Sequence, residues 1–485
     1  MNGGGFLIHY WHLGVAGLSL LMSLLAAGHA VLYRRDHRAA FAWVAFVWLV
    51  PLGGAVLYFI FGVNRIRRRA AELRENRERY EPKATKGASS WEELWRCLEP
   101  DGTHLLGLAR LVGEVVDRPL FAGNRIEPLE NGDEAYPAML ETIRQARQTL
   151  TFSTYIFDRD EVGLEFAREL GAAVRRGVEV RVLIDAAGTR YSWPPILHTL
   201  RREGVPYARF LPSFALWRLM SMNMRNHRKV LVADGRIGFT GGLNIRVGHC
   251  LERKSRAPVR DIHFRVEGPV VGQIQEIFAD DWLFTTGEFL RGPEWFPELD
   301  RTGEVLARAI SDGPDEDLDK LRWTLLGGLA VARSSVVIQT PYFLPDAAII
   351  SALNLTALRG VRVEIILPAQ SNLPFVDWAS RAHWWQVLEH GCQIWLTPRP
   401  FDHSKLMIVD EAWTLMGSAN WDPRSLRLNF ELNVECYDPA LAERLATVLR
   451  QRLAEARQVT LKDVDNRSLP VRLRDGVARL LTPYL

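Results

Sequence analysis

Two short segments of this chain repeat a set of residues suited to chemistry at phosphorus. The first reads Asn226-His227-Arg228-Lys229-Val-Leu-Val-Ala-Asp234 and continues to Gly241-Gly242-Leu243-Asn244. The second reads Asp402-His403-Ser404-Lys405-Leu-Met-Ile-Val-Asp410 and continues to Gly417-Ser418-Ala419-Asn420. Both fit HxKx4D followed, after six residues, by GxxN. The run after each Lys is aliphatic and strand-like, so His and Lys, two apart, should point to one face of a strand. An imidazole beside an ammonium and an amide suits a phosphate. The imidazole of His227 or His403 attacks phosphorus, while Lys229 or Lys405 and Asn244 or Asn420 hold the non-bridging oxygens. Displacement also needs a proton donor behind the leaving oxygen. One copy cannot supply both sides; two copies facing each other can. Asp234 and Asp410 complete the catalytic pattern, although a strand-end Asp is commonly an acceptor for backbone or Lys, and that role is favoured for both.

Each imidazole needs a partner for its other ring nitrogen, usually a carboxylate. Glu431 follows His403 by 28 residues, and Asp261 follows His227 by 34, the extra length lying in the polar stretch 247–259. Each precedes a strand-like run, Ile262 to Val266 or Leu432 to Tyr437, that would lay it beside the first strand of its own copy. A surface salt bridge is the plainer alternative for either.

The duplication extends beyond the motifs. Ala146–Thr154 parallels Ala332–Thr340 at an offset of 186, and both runs close in aromatic clusters, Tyr155-Ile156-Phe157 and Tyr342-Phe343. Arg176-Gly177-Val178 and Arg359-Gly360-Val361, 183 apart, each end a helix-like stretch and open a strand, with Gly as the helix stop. The two motif histidines are 176 apart. Strand–helix–strand order in each copy predicts an α/β sheet covered by helices.

The 485 residues are 48% hydrophobic and 24% charged, which excludes disordered, collagen-like and polytopic membrane classes and fits two domain-sized cores. The net charge of +3 is unevenly placed: residues 1–80 hold ten Arg against four acidic residues, so the remainder is slightly acidic. An acidic body argues against nucleic acid as a partner. Four scattered cysteines without CxxC imply neither a disulfide framework nor a zinc knuckle. Phe6–Tyr33 and Ala39–Val63 carry no Lys, Arg, Asp or Glu, and each exceeds the roughly 20 residues of a spanning helix. They predict a transmembrane hairpin, with Trp11, Trp43, Trp48 and Tyr58 as interfacial anchors. Arg65, Arg67, Arg68 and Arg69, with Arg74, Arg77 and Arg79 beyond, put this flank and the rest of the chain in the cytoplasm by the positive-inside rule.

The paired motifs resemble the phospholipase D superfamily, and the rest of the chain is similar to the bacterial cardiolipin synthases. The resemblance rests on Asn223-Met224-Arg225-Asn226 before His227, and on Arg260-Asp261 leading to Glu267-Gly268-Pro269 and Asp281-Trp282. It also rests on Thr340-Pro341-Tyr342-Phe343-Leu-Pro345-Asp346, on Asp422-Pro423-Arg424-Ser425 leading to Asn429-Phe430-Glu431, and on Pro51, Gly53, Gly54, Tyr58 and Phe61-Gly62. It implies an α/β fold of two phospholipase D-type α-β-α sandwich domains (119–300 and 301–485), preceded by a two-helix transmembrane hairpin (1–63) and a basic linker (64–118).

The implied activity is transfer of a phosphatidyl group between two phosphatidylglycerols, giving cardiolipin and glycerol without a metal or other cofactor. The implied location is a bacterial inner membrane. By the same resemblance His227 is the nucleophile, His403 the acid and then the base, and Lys229, Lys405, Asn244 and Asn420 the phosphate ligands. Asp261 would orient His227, and Glu431 would orient His403. Gly242 departs from the pattern, where the second copy keeps Ser418; exchanging the two histidine roles would preserve the chemistry. A hydrolase using water, a transferase for another alcohol, a phosphodiester nuclease and a scaffold without turnover are the alternatives. Leu211–Met224, with Trp217 and Arg218, reads equally as a lipid-entry segment and as a core helix. Leu469–Leu485 reads as a terminal amphipathic helix packing on the body, or as a second surface contact.

Overall fold

The computed structural model describes residues 3–33, 37–62, 89–99, 102–211, 224–314, 317–480 and 482. The chain forms two compact units, Met1–Glu72 and Leu73–Leu485. The arginines expected to orient the hairpin, Arg65 to Arg79, and most of the expected lipid-entry segment, 212–223, lie outside the described residues.

In the first unit, Gly3–Tyr33 is one helix, and its Trp11–Tyr33 portion is long and apolar enough to cross a bilayer. The second apolar stretch is also helical but broken. Helix His37–Leu49 stops at Val50 (φ −130°, ψ 74°), helix Pro51–Leu57 follows, and a π-helical turn spans Tyr58–Gly62. The single continuous span expected over 39–63 is therefore absent. Pro51 supplies the reason: it has no N–H to continue the ladder, and its ring excludes the preceding turn. The pieces pack on the long helix through Ala26, Ala30, Val47, Ala55 and Tyr58. At Gly54 a Cβ would fall 2.8 Å from Phe46 O, so only glycine lets these two short helices approach so closely.

The second unit is built on one twisted sheet running through both copies. The first copy supplies β1 (Phe121–Glu130), β2 (Thr149–Thr154), β3 (Glu179–Asp185), β4 (Tyr207–Phe210), β5 (Arg225–Asn226), β6 (Val230–Ala233), β7 (Ile237–Gly241), β8 (Val259–Arg260) and β9 (Ile262–Glu267). The second supplies β10 (Val305–Asp312), β11 (Ser335–Gln339), β12 (Arg362–Pro368), β13 (Gln393–Thr397), β14 (Phe401–Asp402), β15 (Leu406–Val409), β16 (Trp413–Gly417), β17 (Asn429–Tyr437) and β18 (Arg457–Val459). The sheet order is β18-β13-β12-β11-β15-β16-β17-β10-β1-β9-β7-β6-β2-β3-β4, with β5 pairing β17 off this path, while β8 and β14 form a separate two-stranded sheet. Outward from the antiparallel pair β1–β10, the order 1, 9, 7, 6, 2, 3, 4 is matched by 10, 17, 16, 15, 11, 12, 13. The sequence repeat is thus a structural repeat about the sheet centre.

The helices follow from local chemistry repeated in both copies. Asp160 caps helix Glu161–Arg175 by accepting from Gly163 N–H, and Asp346 caps Ala347–Leu358 by accepting from Ala348 and Ile349 N–H. Both helices end two residues before a glycine at φ +89°, Gly177 and Gly360, a left-handed stop that glycine adopts without strain. In the first copy, Tyr136 and Met139 of helix Asn131–Gln145 and Phe166 of helix Glu161–Arg175 pack on Phe152, Val182 and Phe239 of the sheet. The chain's last helix, Leu469–Leu480, does pack on the body, but not through an apolar face. It buries Asp475 and Ala478 and leaves Leu469, Leu473, Val477 and Leu480 exposed.

Candidate active site

Each motif histidine sits between a two-residue strand and the longer strand carrying the rest of its motif: β5 then β6 for His227, β14 then β15 for His403. The short strands pair across the halves. β5 runs parallel to the start of β17, with Asn226 opposite Phe430, and β14 runs parallel to β8, with Asp402 opposite Arg260. His227 N–H donates to Phe430 O (2.9 Å), and His403 N–H donates to Arg260 O (2.7 Å). The next residue on each facing strand is a carboxylate.

This register corrects the expected pairing. His227 Nδ1 lies 3.1 Å from Glu431 Oε2, and His403 Nδ1 lies 2.9 Å from Asp261 Oδ2. Each histidine is oriented by the carboxylate of the other half, not of its own. With Nδ1 held, Nε2 is the nitrogen left for phosphorus or for a proton. Both histidine side chains are about one-tenth exposed (12% and 11%), and both carboxylates are fully buried.

The two half-sites differ in how the carboxylate is held. Glu431 also accepts from Ser418 Oγ (2.5 Å) and from Asn429 Nδ2 (3.1 Å). Burial pushes its carboxyl up, but His227, Lys229 and Ser418 outweigh that and hold it below the usual carboxylate range. Asp261 accepts from Ile262 N–H (2.9 Å), and burial holds its carboxyl above the usual range. Gly242, the departure from the second copy's Ser418, is explained here: a Cβ at 242 would fall 2.2 Å from Asp261 Oδ1. The shorter Asp fills the space that a serine side chain takes opposite the longer Glu431.

Lys229 Nζ donates to His227 O (2.6 Å), and Lys405 Nζ donates to His403 O. Lys and His therefore remain together, but in the turn before each long strand rather than within it. Asn244 accepts from Ile156 N–H through Oδ1 (3.1 Å). Asn420 Nδ2 donates to Ser425 Oγ (3.2 Å). Asp234 and Asp410 do not join the catalytic set. They sit beyond β6 and β15, about 13 Å of strand away at 3.3 Å per residue. Asp234 accepts from the N–H groups of Arg147, Gln148 and Thr149, and Asp410 from those of Arg333, Ser334 and Ser335. They tie the long strand's end to the neighbouring strand's start, the structural role favoured from sequence.

Several participants were not assigned from sequence. Tyr155 stands with its ring 5.2 Å from His227, and Tyr342 with its ring 6.4 Å from His403. Their places in the two matching aromatic clusters were the available signal. Beneath His227, Arg228 is almost fully buried, pairs with Asp281 (2.6 Å) and donates from Nε to Glu431 O (3.0 Å). Beneath His403 the charges exchange places: Arg452 pairs with Asp402 (2.9 Å) and donates to Ser404 Oγ (3.0 Å). Truncating one partner of such a buried pair costs about 3–5 kcal/mol, because the other charge is left uncompensated. These pairs hold the turns from below.

Burial lowers both ammonium groups, Lys229 to about 7 and Lys405 to about 8. Below those values the site is already cationic. Above them an anion must bring protons with it, so binding weakens as pH rises. Titration calorimetry with sulfate, whose charge is constant here, is expected to show a flat affinity up to about pH 7. Above that it should fall by up to about tenfold per pH unit for each proton taken up. An affinity unchanged to about pH 9 would contradict the placement of these lysines as anion ligands. Among the described residues, no group of three or more His, Cys, Asp or Glu could hold a metal ion.

The chain is similar to known proteins. The family described as "Cardiolipin synthase, PLD-like domain" matches residues 139–282 and 325–453, and "Phospholipase_D-nuclease N-terminal" matches 21–62. A cardiolipin synthase of Geobacillus sp. (strain WCH70) is 32% identical over 97% of this chain and 94% of its own length. One from Staphylococcus aureus (strain N315) is 30% identical over 97% and 96%. In fold, the chain is similar to the phosphatidylserine synthase of Haemophilus influenzae Rd KW20, with a TM-score of 0.61 and 16% identity over 78% of this chain and all of that one. The chain belongs to the cardiolipin synthase family with phospholipase D-like domains.

Proposed function

We propose that this protein is a cardiolipin synthase that moves a phosphatidyl group from one phosphatidylglycerol to a second. The observation that carries the reading is the reciprocal pairing of each histidine with the other half's carboxylate, which builds two oriented imidazoles into one site. Burial, together with Lys229, lowers His227 below its ordinary value, so its Nε2 lone pair is free to attack. The P–N bond forms as the P–O bond to glycerol breaks, and His403 Nε2–H delivers its proton to the departing oxygen. The second phosphatidylglycerol then loses its terminal hydroxyl proton to His403 and attacks phosphorus. The P–N bond breaks, cardiolipin leaves, and both imidazoles return to their starting states.

The partition of roles follows from the carboxylates. A phosphorylated His227 with its Nδ1–H in place is cationic, and Glu431, held by three side-chain donors, is the anion that balances it. Burial and the two lysines hold His403 well below its ordinary value. An anionic phosphate between Lys229 and Lys405 offsets those charges, so His403 gains its proton when substrate is bound. Lys229, Lys405, Asn244 and Asn420 are the phosphate ligands in this scheme.

Purified protein given phosphatidylglycerol in chelator-treated buffer is expected to release cardiolipin and glycerol in equal amounts. Phosphatidic acid as the only lipid product would make it a hydrolase. The same reading places the catalytic unit on the cytoplasmic face of a bacterial inner membrane, anchored by the N-terminal helices. Protease protection of residues 89–480 in right-side-out vesicles checks the side, and digestion from outside would reverse it.

A further inference from the structure

The outward face of the C-terminal helix has no role in the catalytic site. Leu469, Leu473, Val477 and Leu480 are all exposed, and they fall within roughly 80° of the helix circumference at 3.6 residues per turn. Arg472 and Arg479 lie along one edge of this stripe and Arg474 along the other. Arg474 pairs with Asp475 and lies 4.5 Å above the Trp378 ring, whereas neither Arg472 nor Arg479 has a carboxylate partner among the described residues. Beside the helix, a groove of about 440 Å³ is lined by Arg467, Arg472 and Arg479 together with Glu389, Asp465 and Asp475.

Through its buried side the helix packs on residues that neighbour the site. Ala478 packs with Val376 and Ala379 of helix Pro374–Arg381 and with Tyr342, whose ring neighbours His403. Tyr342 donates to Asn372 Oδ1 (2.7 Å), and the adjoining Leu373 and Phe375 are exposed. The other half offers a matching rim. Tyr191 stands 6.1 Å from Tyr155, the ring beside His227, and Trp193, two residues on, is 93% exposed.

We propose that the Leu469–Leu480 helix, with Leu373, Phe375 and Trp193, is a docking face for an anionic phospholipid leaflet that brings the site mouth to the membrane surface. An apolar stripe flanked by arginines is the pattern of a helix lying in the plane of the interface, its guanidinium groups reaching headgroup phosphates while the stripe enters the acyl boundary. Charge selects this occupant: Arg472 and Arg479, with no carboxylate partner among the described residues, border the stripe, where a lipid phosphate is the complementary group. A lipid substrate would then travel from leaflet to Lys229 and Lys405 without crossing bulk water. The docking face is independent of which alcohol accepts the phosphatidyl group.

The test uses the full chain with Cys97 replaced by Ser, reconstituted in vesicles of phosphatidylglycerol and a zwitterionic lipid. A fluorophore is placed through Leu473→Cys or Val477→Cys, with Glu179→Cys as control, and quenching by acyl-brominated lipid is measured. Quenching at 473 and 477 but not at 179, growing with phosphatidylglycerol content, is the expected result. Equal signals at all three positions overturn the proposal, and cross-linking of two chains through 473 assigns the face to self-association instead. A second measurement uses Leu473→Asp/Val477→Asp, for which turnover on bilayer lipid is expected to fall about tenfold while turnover on micellar short-chain lipid stays within about twofold. Equal loss on both would mean a structural role. Quenching is read without any reaction, so it stands or fails apart from the proposed catalysis.

Discussion

Glu431→Gln is expected to slow formation of the phosphatidyl–histidine adduct roughly a thousandfold, although Glu431 and the histidine it serves lie in different copies of the repeat. The residue supports His227 by position and by charge. Gln still offers an oxygen to Nδ1–H, so geometry survives, but the cationic phosphorylated imidazole loses the anion 3.1 Å away. The step is isolated with a phosphatidyl ester of a good leaving group such as nitrophenol, which departs without a proton donor. With that substrate, Asp261→Asn should form adduct within about threefold of the wild-type rate, because it acts on His403 and no acid is needed. On phosphatidylglycerol itself, Asp261→Asn should also be slow. The opposite result, with Asp261→Asn blocking the adduct and Glu431→Gln sparing it while the adduct still maps to His227, would mean that carboxylates serve their own copy. The cross-half register of β5 with β17 would then not govern the chemistry.

The second large effect concerns His403. Replacing it with Ala is expected to lower turnover on phosphatidylglycerol by about a thousandfold to ten-thousandfold, the upper part of the range for a lost general acid–base. The activated ester should still load His227, and the adduct should persist because no base remains to activate the second alcohol. Intact-protein mass spectrometry followed by peptide mapping would find the phosphatidyl group on the peptide holding His227. His227→Ala should carry no adduct with either substrate. An adduct on His403 in the His227→Ala protein would exchange the roles of the two histidines, and the same measurement reports it.

Much of this arrangement is legible in the chain itself. The repeats near Thr149 and Ser335, the glycine stops at Gly177 and Gly360, and the two HxKx4D runs are local patterns of strand, cap and side-chain chemistry. Local patterns survive in sequence because neighbouring residues carry them. The structural reading of Asp234 and Asp410 came from residue type at a strand end, but the N–H groups they accept from begin the neighbouring strand, 75 to 87 residues earlier in the chain.

What failed was pairing between distant segments. The spacing of 34 residues from His227 to Asp261 suggested a partnership within one copy, yet the two belong to different half-sites. Spacing along a chain limits which residues can meet. It does not decide which of two equivalent strands will lie alongside, and here both short strands cross to the other half. The second apolar stretch shows a different limit. Its composition is that of a span, but one proline at position 51 divides it, and the glycine at 54 lets the halves fold together.

The amino-acid sequence by itself determined that two phosphate-handling motifs exist, that they belong to a duplicated α/β fold, and that an apolar N-terminus precedes them. Only the tertiary structure decided which carboxylate holds which imidazole, and that the last helix turns its leucines outward. The first group rests on residue type and short-range period, which the chain carries wherever it goes. The second rests on strand register between halves and on the choice of packed face, and these exist only once the chain between the halves has closed the sheet.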